Sequence, residues 1–233
     1  MSLAVLRIAG RRLADDLSGQ ADPRSLVLAI PRRGAVVARQ VALRLRLHVD
    51  VLPVTPIVVA GPSGVEATAG ALAMWGTPVL DDDLRRHLEV DDDGVATALA
   101  LARVRLGARW ARWDGAAGHA GAAGAAPPSL AGVPVIVVDD AAISGLTMAA
   151  AVDGARARGA TRLVAAVAMA TPEAVERIRG RVDAVVTLEL VARHLAASRH
   201  AAVAHHIHPP IDDDDVGSML RDAERAAAEP RAS

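Results

Sequence analysis

The sequence predicts an α/β fold with a central parallel sheet flanked by helices, a flexible loop and a small C-terminal segment. Three observations carry this expectation. Short apolar runs alternate with helical segments at βαβ spacing, first over Ser25–Val54 and again over Val133–Leu188. Those runs are apolar on both faces, as strands covered by helices on each side must be. Hydrophobic residues make up 52% of the 233 residues and charged ones 23%, a balance that can bury the core of a single domain.

Residues 3–17 place apolar positions at helical spacing with Arg11 and Arg12 on the other face, which predicts an opening helix. Ser25–Ile30 is a short apolar run halted by Pro31, a buried strand ending in a turn. Gly34–Leu47 follows as a helix and Val49–Val54 as a second strand, which completes a βαβ unit with a right-handed crossover. From Thr55 to Gly76 the chain is rich in Pro, Gly and small residues and reads as a loop or protruding hairpin; Val58–Trp75 is the candidate mobile loop. Asp81–Trp113 looks helical, with a break near Asp91–Gly94 where carboxylates can cap a second helix. Residues 114–132 form a Gly/Ala/Pro-rich connection within the fold. Then Val133–Val138 is a strand, Asp139–Thr147 a turn, and Met148–Arg158 a helix closed by Gly159. Thr161–Ala168 is a strand, Pro172–Arg179 a short helix, and Val182–Leu188 the last strand. We read residues 1–233 as one domain with its core over about 3–190, and 191–233 as a C-terminal segment ending in a helix over Asp213–Ala228.

Composition narrows the chemistry. The chain has no Lys, Asn, Cys, Phe or Tyr, so all 26 basic residues are arginine. Disulfides, thiolate chemistry, and catalytic Lys or Tyr are thereby excluded, and Asp, Glu, His, Ser, Thr and Arg are left to act. The 27 acidic residues nearly cancel the basic ones, for a formal charge of -1, which argues against a uniformly basic nucleic-acid face. The opening MSLAVLRIAGRRLADD lacks a leader pattern, and no run of about 18 apolar residues could span a membrane, so a cytoplasmic protein is the expectation.

In an open parallel sheet, ligands bind beyond the carboxyl ends of the strands. Two such ends carry unusual residues. The first is Pro31-Arg32-Arg33-Gly34, two guanidinium groups on a turn that opens a helix. Helix-start N–H groups favour an anion, and Arg adds bidentate geometry for phosphate oxygens; two solvated arginines on an ordinary turn are the alternative. The second is Asp139-Asp140 followed by Ala141-Ala142-Ile143-Ser144-Gly145-Leu146-Thr147. Here paired carboxylates end an apolar strand, and a small-residue loop could wrap a phosphate in its N–H groups. The carboxylates suit sugar hydroxyls or a hydrated Mg²⁺. The bland alternative is a turn whose Asp caps the helix.

The segment VVDDAAISGLT resembles the phosphoribosyl pyrophosphate (PRPP) signature of type I phosphoribosyltransferases, an apolar strand followed by two acidic residues and a Thr/Ser-Gly-x-Thr loop. The likeness extends to bacterial stand-alone phosphoribosyltransferase-domain proteins. Their PRGG-like turn corresponds to Pro31–Gly34, their DVL strand to Asp50–Leu52, their ELAIGA-like segment to Glu66–Ala71 and their LAG linker to Leu130–Gly132. It runs over about residues 3–225 and is specific at 133–170. The resemblance implies that Asp139 and Asp140 hold the ribose hydroxyls, that Ala141 to Thr147 hold the 5-phosphate, and that Arg32, Arg33 and Gly34 meet pyrophosphate. It also implies Mg²⁺ carried in with PRPP and no metal held by protein ligands alone. The implied reaction moves ribose 5-phosphate from PRPP to a small nitrogenous acceptor.

Two positions differ from those relatives, which carry an Arg-Lys pair after the second strand and an aromatic C-terminal segment. This chain has Thr55-Pro56 and Ala204-His205-His206-Ile207-His208-Pro209-Pro210 there. The alternative function is therefore a non-catalytic PRPP- or nucleotide-binding regulator without an acceptor pocket. His205, His206 and His208 could bind a transition metal, supply a base, or form a solvated tail. With few aromatics, a stacked acceptor would use Trp75, Trp110 or Trp113; Trp110 and Trp113, spaced i, i+3, read as packing residues. Asp81–Asp83, Asp91–Asp93 and Asp212–Asp215 read as acidic helix starts. The acceptor and the oligomeric state stay open at this level.

Overall fold

The computed structural model describes residues 3–62, 64–114, 129–196, 198 and 211–228. Its centre is a five-stranded sheet, all parallel, in the order β2-β1-β6-β7-β8. The strands are β1 (Leu26–Ala29), β2 (His48–Val51), β6 (Pro134–Ala142), β7 (Arg162–Ala170) and β8 (Ala184–Leu190). A second, antiparallel sheet contains β3 (Val54–Ala60), β4 (Glu66–Ala73) and β5 (Val79–Leu80).

The period-2 alternation of each strand divides its side chains between two cores. Val27, Ala29, Ile136, Val138, Val164 and Ala166 point to one face. There they meet α1 (Leu3–Leu17), α2 (Arg33–Leu45) and α7 (Asp213–Ala228). Leu28, Val135, Val137, Leu163, Ala165 and Val167 point to the other, against α5 (Leu146–Ala157) and α6 (Pro172–Arg179). Full burial of a Leu or Ile such as Leu13, Leu28 or Ile136 stabilises by about 1.5–3 kcal/mol. A third cluster joins Ile57, Val59, Ala69 and Leu72 of the hairpin to Ala98, Ala102 and Leu106 of α4 (Asp92–Asp114).

Several expectations need correction. The predicted strand Val49–Val54 is divided. β2 ends at Val51, and Leu52 still donates its N–H to Ala29 O at 2.9 Å, but from Val54 the chain pairs with β4 in the other sheet. Of the loop or protruding hairpin expected over Thr55–Gly76, the structure has the hairpin, with β3 paired antiparallel to β4 and packed on α4 and α5. The predicted turn Asp139–Thr147 begins later than expected. Asp139, Ala141 and Ala142 remain in register with Val167, Met169 and Ala170 of β7, and the turn proper is Ile143–Gly145. The break near Asp91–Gly94 does separate α3 (Asp82–His87) from α4, with Asp91 Oδ1 accepting from the Gly94 N–H at 2.8 Å. All three acidic runs stand at helix starts, with Asp81 capping α3 through the Leu84 N–H. Residues 115–128 and the histidines 205, 206 and 208 lie outside the described residues. Among the described residues no helix is long and apolar enough to cross a membrane.

Candidate functional site

Strand order fixes where a site can form. From β1 the chain moves outward to β2 on one side, and from β6 it moves to β7 and β8 on the other. The carboxyl ends of β1 and β6 therefore flank the topological switch point, where the connecting loops part and leave a crevice. The two strands are joined up to their ends: Ala29 pairs with Val138, and the Ile30 N–H donates to Val138 O at 2.9 Å. Both predicted motifs emerge here side by side.

On the β1 side, Pro31 and Arg32 lead into α2, which starts at Arg33 with no side-chain cap. The Pro31–Arg32 peptide is cis. Gly34 packs so closely on β6 that a Cβ would stand 2.8 Å from Asp139 Oδ1 and 3.1 Å from Val138 O. A larger residue would have to push the turn and the acidic pair apart.

On the β6 side the carboxylates differ sharply. Asp139 is buried, and its Oδ1 accepts the Asp140 N–H at 2.8 Å. Burial, and then the neighbouring Asp140 charge, hold its carboxyl well above the usual carboxylate range. Asp140 instead pairs with Arg33, Nε to Oδ2 at 3.2 Å, with side chains only 10% and 15% exposed. The turn that follows is anchored from below. Gly145 has φ +75°, and a Cβ there would lie 2.9 Å from Ala174 O, so both backbone conformation and space require glycine. Fully buried Thr171 donates from Oγ1 to Ile143 O at 2.8 Å and accepts from the Ala174 N–H at 3.1 Å, capping α6. Ser144 Oγ accepts from the Leu146 N–H at 3.4 Å, and α5 begins behind Gly145 with Thr147 in its first turn.

The predicted residues are thus brought together: Arg32, Arg33 and Gly34 on one lip, Asp139 to Thr147 on the other. Ala141 and Ala142 are strand residues and not part of the turn. The partners of the arginine turn escaped the sequence reading. Asp213, at the start of α7, sits 3.6 Å from Arg32 Nε and 3.5 Å from Arg109 Nη2, while Arg32 Nη1 reaches Ile211 O at 3.4 Å. The acidic run at 212–215 was the signal for a helix start, but nothing local marked a partner 181 residues away (213 − 32). Trp75, the candidate ligand contact, is packed: its ring meets Trp110 edge-on at 4.8 Å, with the Arg158 guanidinium 4.9 Å from its centroid.

Comparison with known proteins gives the lineage. No family model matches the chain. A protein of Mycobacterium tuberculosis, provisionally named a phosphoribosyl transferase and present in two strains, is 32% identical over 224 residues, 95% of this chain. The crystal structure of TT1426 from Thermus thermophilus superposes with a TM-score of 0.68 at 29% identity, covering 93% of this chain and 96% of its own. Over nearly its whole length this chain is similar to a protein named as a phosphoribosyl transferase. It spans about half, 47%, of the length of the curated relatives it matches. A purine phosphoribosyltransferase from Pyrococcus horikoshii is more distant, at 15% identity and a TM-score of 0.42, over 80% of this chain and 85% of its own. The five-stranded parallel sheet flanked by helices is the fold expected of a phosphoribosyltransferase.

Proposed function

We propose that this domain binds PRPP and transfers its ribose 5-phosphate to a small nitrogenous acceptor, releasing pyrophosphate. The observation that carries the reading is the meeting of three features at the β1/β6 switch point: an acidic pair, a glycine turn opening α5, and a two-arginine turn opening α2. In this reading Asp140 accepts from the ribose hydroxyls, with buried Asp139 bracing it through the Asp140 N–H. The Ile143–Gly145 turn and the first N–H groups of α5 take the 5-phosphate, where the helix dipole favours negative charge. Arg32 and Arg33 take the pyrophosphate, and Gly34 lets that turn approach the acidic pair.

The reaction is a displacement at ribose C1. The C1–O bond breaks with its electron pair leaving on pyrophosphate, the acceptor nitrogen forms the new bond to C1, and its proton passes to solvent. The chain's own contribution is positioning between two rigid strand ends and guanidinium charge placed on the leaving group. Among the described residues no group of three or more His, Cys, Asp or Glu side chains is placed to hold a metal. The hard oxygens of Asp140 do suit Mg²⁺ shared with substrate phosphates. Mg²⁺ brought in with PRPP would neutralise pyrophosphate charge beside Asp140.

A second reading, a PRPP-binding regulator that turns nothing over, is favoured by one observation. Thr55 is 3% exposed within β3, so the position where relatives carry a cation offers none here. Pyrophosphate release measured with PRPP, Mg²⁺ and a panel of nucleobases and small amines separates the two. Turnover that disappears in Asp140→Ala supports the transferase. PRPP binding with no release from any acceptor supports the regulator, and absence of PRPP binding removes both.

A further inference from the structure

Helix α4 is apolar on two sides. On one, Ala98, Ala102 and Leu106 are buried against the hairpin, with Val95 and Leu99 packed beside them. On the opposite side Thr97, Ala100, Leu101, Val104, Gly107 and Ala108 are exposed. Their i, i+3, i+4, i+7 spacing makes one continuous stripe. Leu101 is 52% exposed and Val104 71%, and a Cβ on Gly107 would meet nothing within 4 Å. A surface helix ordinarily turns its charges to water on this side. Here they stand at the start and on the flanks: Asp92 and Asp93 in the first turn, Arg103 and Arg105 beside the stripe further on. Asp92 is held by Arg85, but among the described residues Asp93, Arg103 and Arg105 have no ion-pair partner.

We propose that this stripe is the contact surface for a second copy of the chain, with the two α4 helices packed antiparallel about a two-fold axis. Charge selects both the occupant and the orientation. Antiparallel packing sets the acidic start of each helix beside the arginine-bearing half of the other, whereas parallel packing sets like charges together. Size agrees with charge. With the axis between Ala100 and Leu101, Leu101 lies against Ala100 of the second copy and Val104 against its Thr97, each larger side chain beside a smaller one. In that register Arg105 lies about 4.5 Å along the axis from Asp93 of the second copy, within reach of a long side chain. The two-fold axis makes every such pairing occur twice. One helix pair is small for a stable interface, so the dimer should dissociate in the micromolar range. None of these residues belongs to the candidate site, so the dimer and the PRPP reading stand or fall separately.

Sedimentation velocity of the full chain across the micromolar range tests this, with three single variants alongside. The wild type should pass from monomer to dimer as concentration rises. Val104→Glu should weaken the dimer by at least about 10-fold, because it places a charge inside the contact. Asp93→Arg sets like charges against Arg105 of the second copy, and Arg105→Asp sets them against its Asp93; each should weaken self-association by about 10-fold. Mixed in equal amounts, these two variants should regain wild-type dimerisation, since every contact between them again joins opposite charges. All three positions are exposed, so the fold should withstand the changes, which circular dichroism checks. The mixture decides the matter if Val104→Glu does not fold. A wild type that stays monomeric overturns the proposal and leaves the stripe to another occupant. Dimers that ignore Val104→Glu, or charge variants that associate as the wild type does or fail to recover on mixing, overturn it equally.

Discussion

Thr171 is the position where one hydroxyl holds two elements, and replacing it by Val measures what that hydroxyl does. The side chain is fully buried, with φ −91° and ψ 155°, an extended conformation that β-branched Val adopts without strain. Val keeps the shape but removes the acceptor that caps α6 at the Ala174 N–H and the donor to Ile143 O. Loss of an N-cap costs about 1 kcal/mol, and a part-buried carbonyl left without its donor costs about 1–3 kcal/mol. Together the change should destabilise by about 2–4 kcal/mol. For a domain of this size each kcal/mol lowers Tm by about 2–4 °C, so a fall of roughly 4–16 °C is expected. Thr171→Ser is the control. It keeps both hydrogen bonds, loses one methyl and should cost about 1 kcal/mol. Denaturant unfolding of the three proteins followed by circular dichroism decides the point. A Val variant as stable as the Ser variant would refute the claim that this hydroxyl supports the Ile143–Gly145 turn.

Other perturbations follow from the same geometry. Gly145→Ala places a side chain in the left-handed region and 2.9 Å from Ala174 O, so it should cost at least about 1–2 kcal/mol in denaturant midpoint and loosen any phosphate held by the turn. Asp139 keeps its proton in the folded state to higher pH than in the unfolded chain, because burial and then Asp140 raise its pKa. Its contribution to stability is therefore complete below the unfolded value of about 4 and declines as pH rises through the folded value. Asp139→Asn should gain stability relative to the wild type as pH rises above about 4, and a difference independent of pH would contradict this. Gly34→Ala has no left-handed φ to strain. Its cost should instead appear as weakened ligand binding, because the new Cβ meets Asp139 Oδ1 at 2.8 Å.

Local pattern made much of this fold legible. α1, α6 and α7 occupy the segments that periodicity and capping marked, since an amphipathic face and a Thr-Pro start are properties of neighbouring residues. The C-terminal end of β6 was not legible. Asp139 and Asp140 interrupt the apolar run, but the ladder to β7 continues beneath them because backbone pairing is indifferent to that polarity. The split of 49–54 was hidden for the opposite reason. Hydrophobicity is unbroken from Val51 to Val54, and only tertiary packing turns the chain from one sheet into the other. The acidic pair, its turn and the two arginines were all visible as short motifs. Their supports were not: Thr171, Asp213 and Arg109 reach the site from 28 to 181 residues away in sequence, beyond any local signal.

Calorimetric titration of the full chain with PRPP and Mg²⁺ tests the central claim most directly, with the Asp139→Ala/Asp140→Ala double variant alongside. The account predicts saturable binding at one site per chain, abolished in the double variant while that variant remains folded. No binding by the wild type, or the same affinity in the double variant, would contradict the assignment of these carboxylates to a phosphoribosyl site.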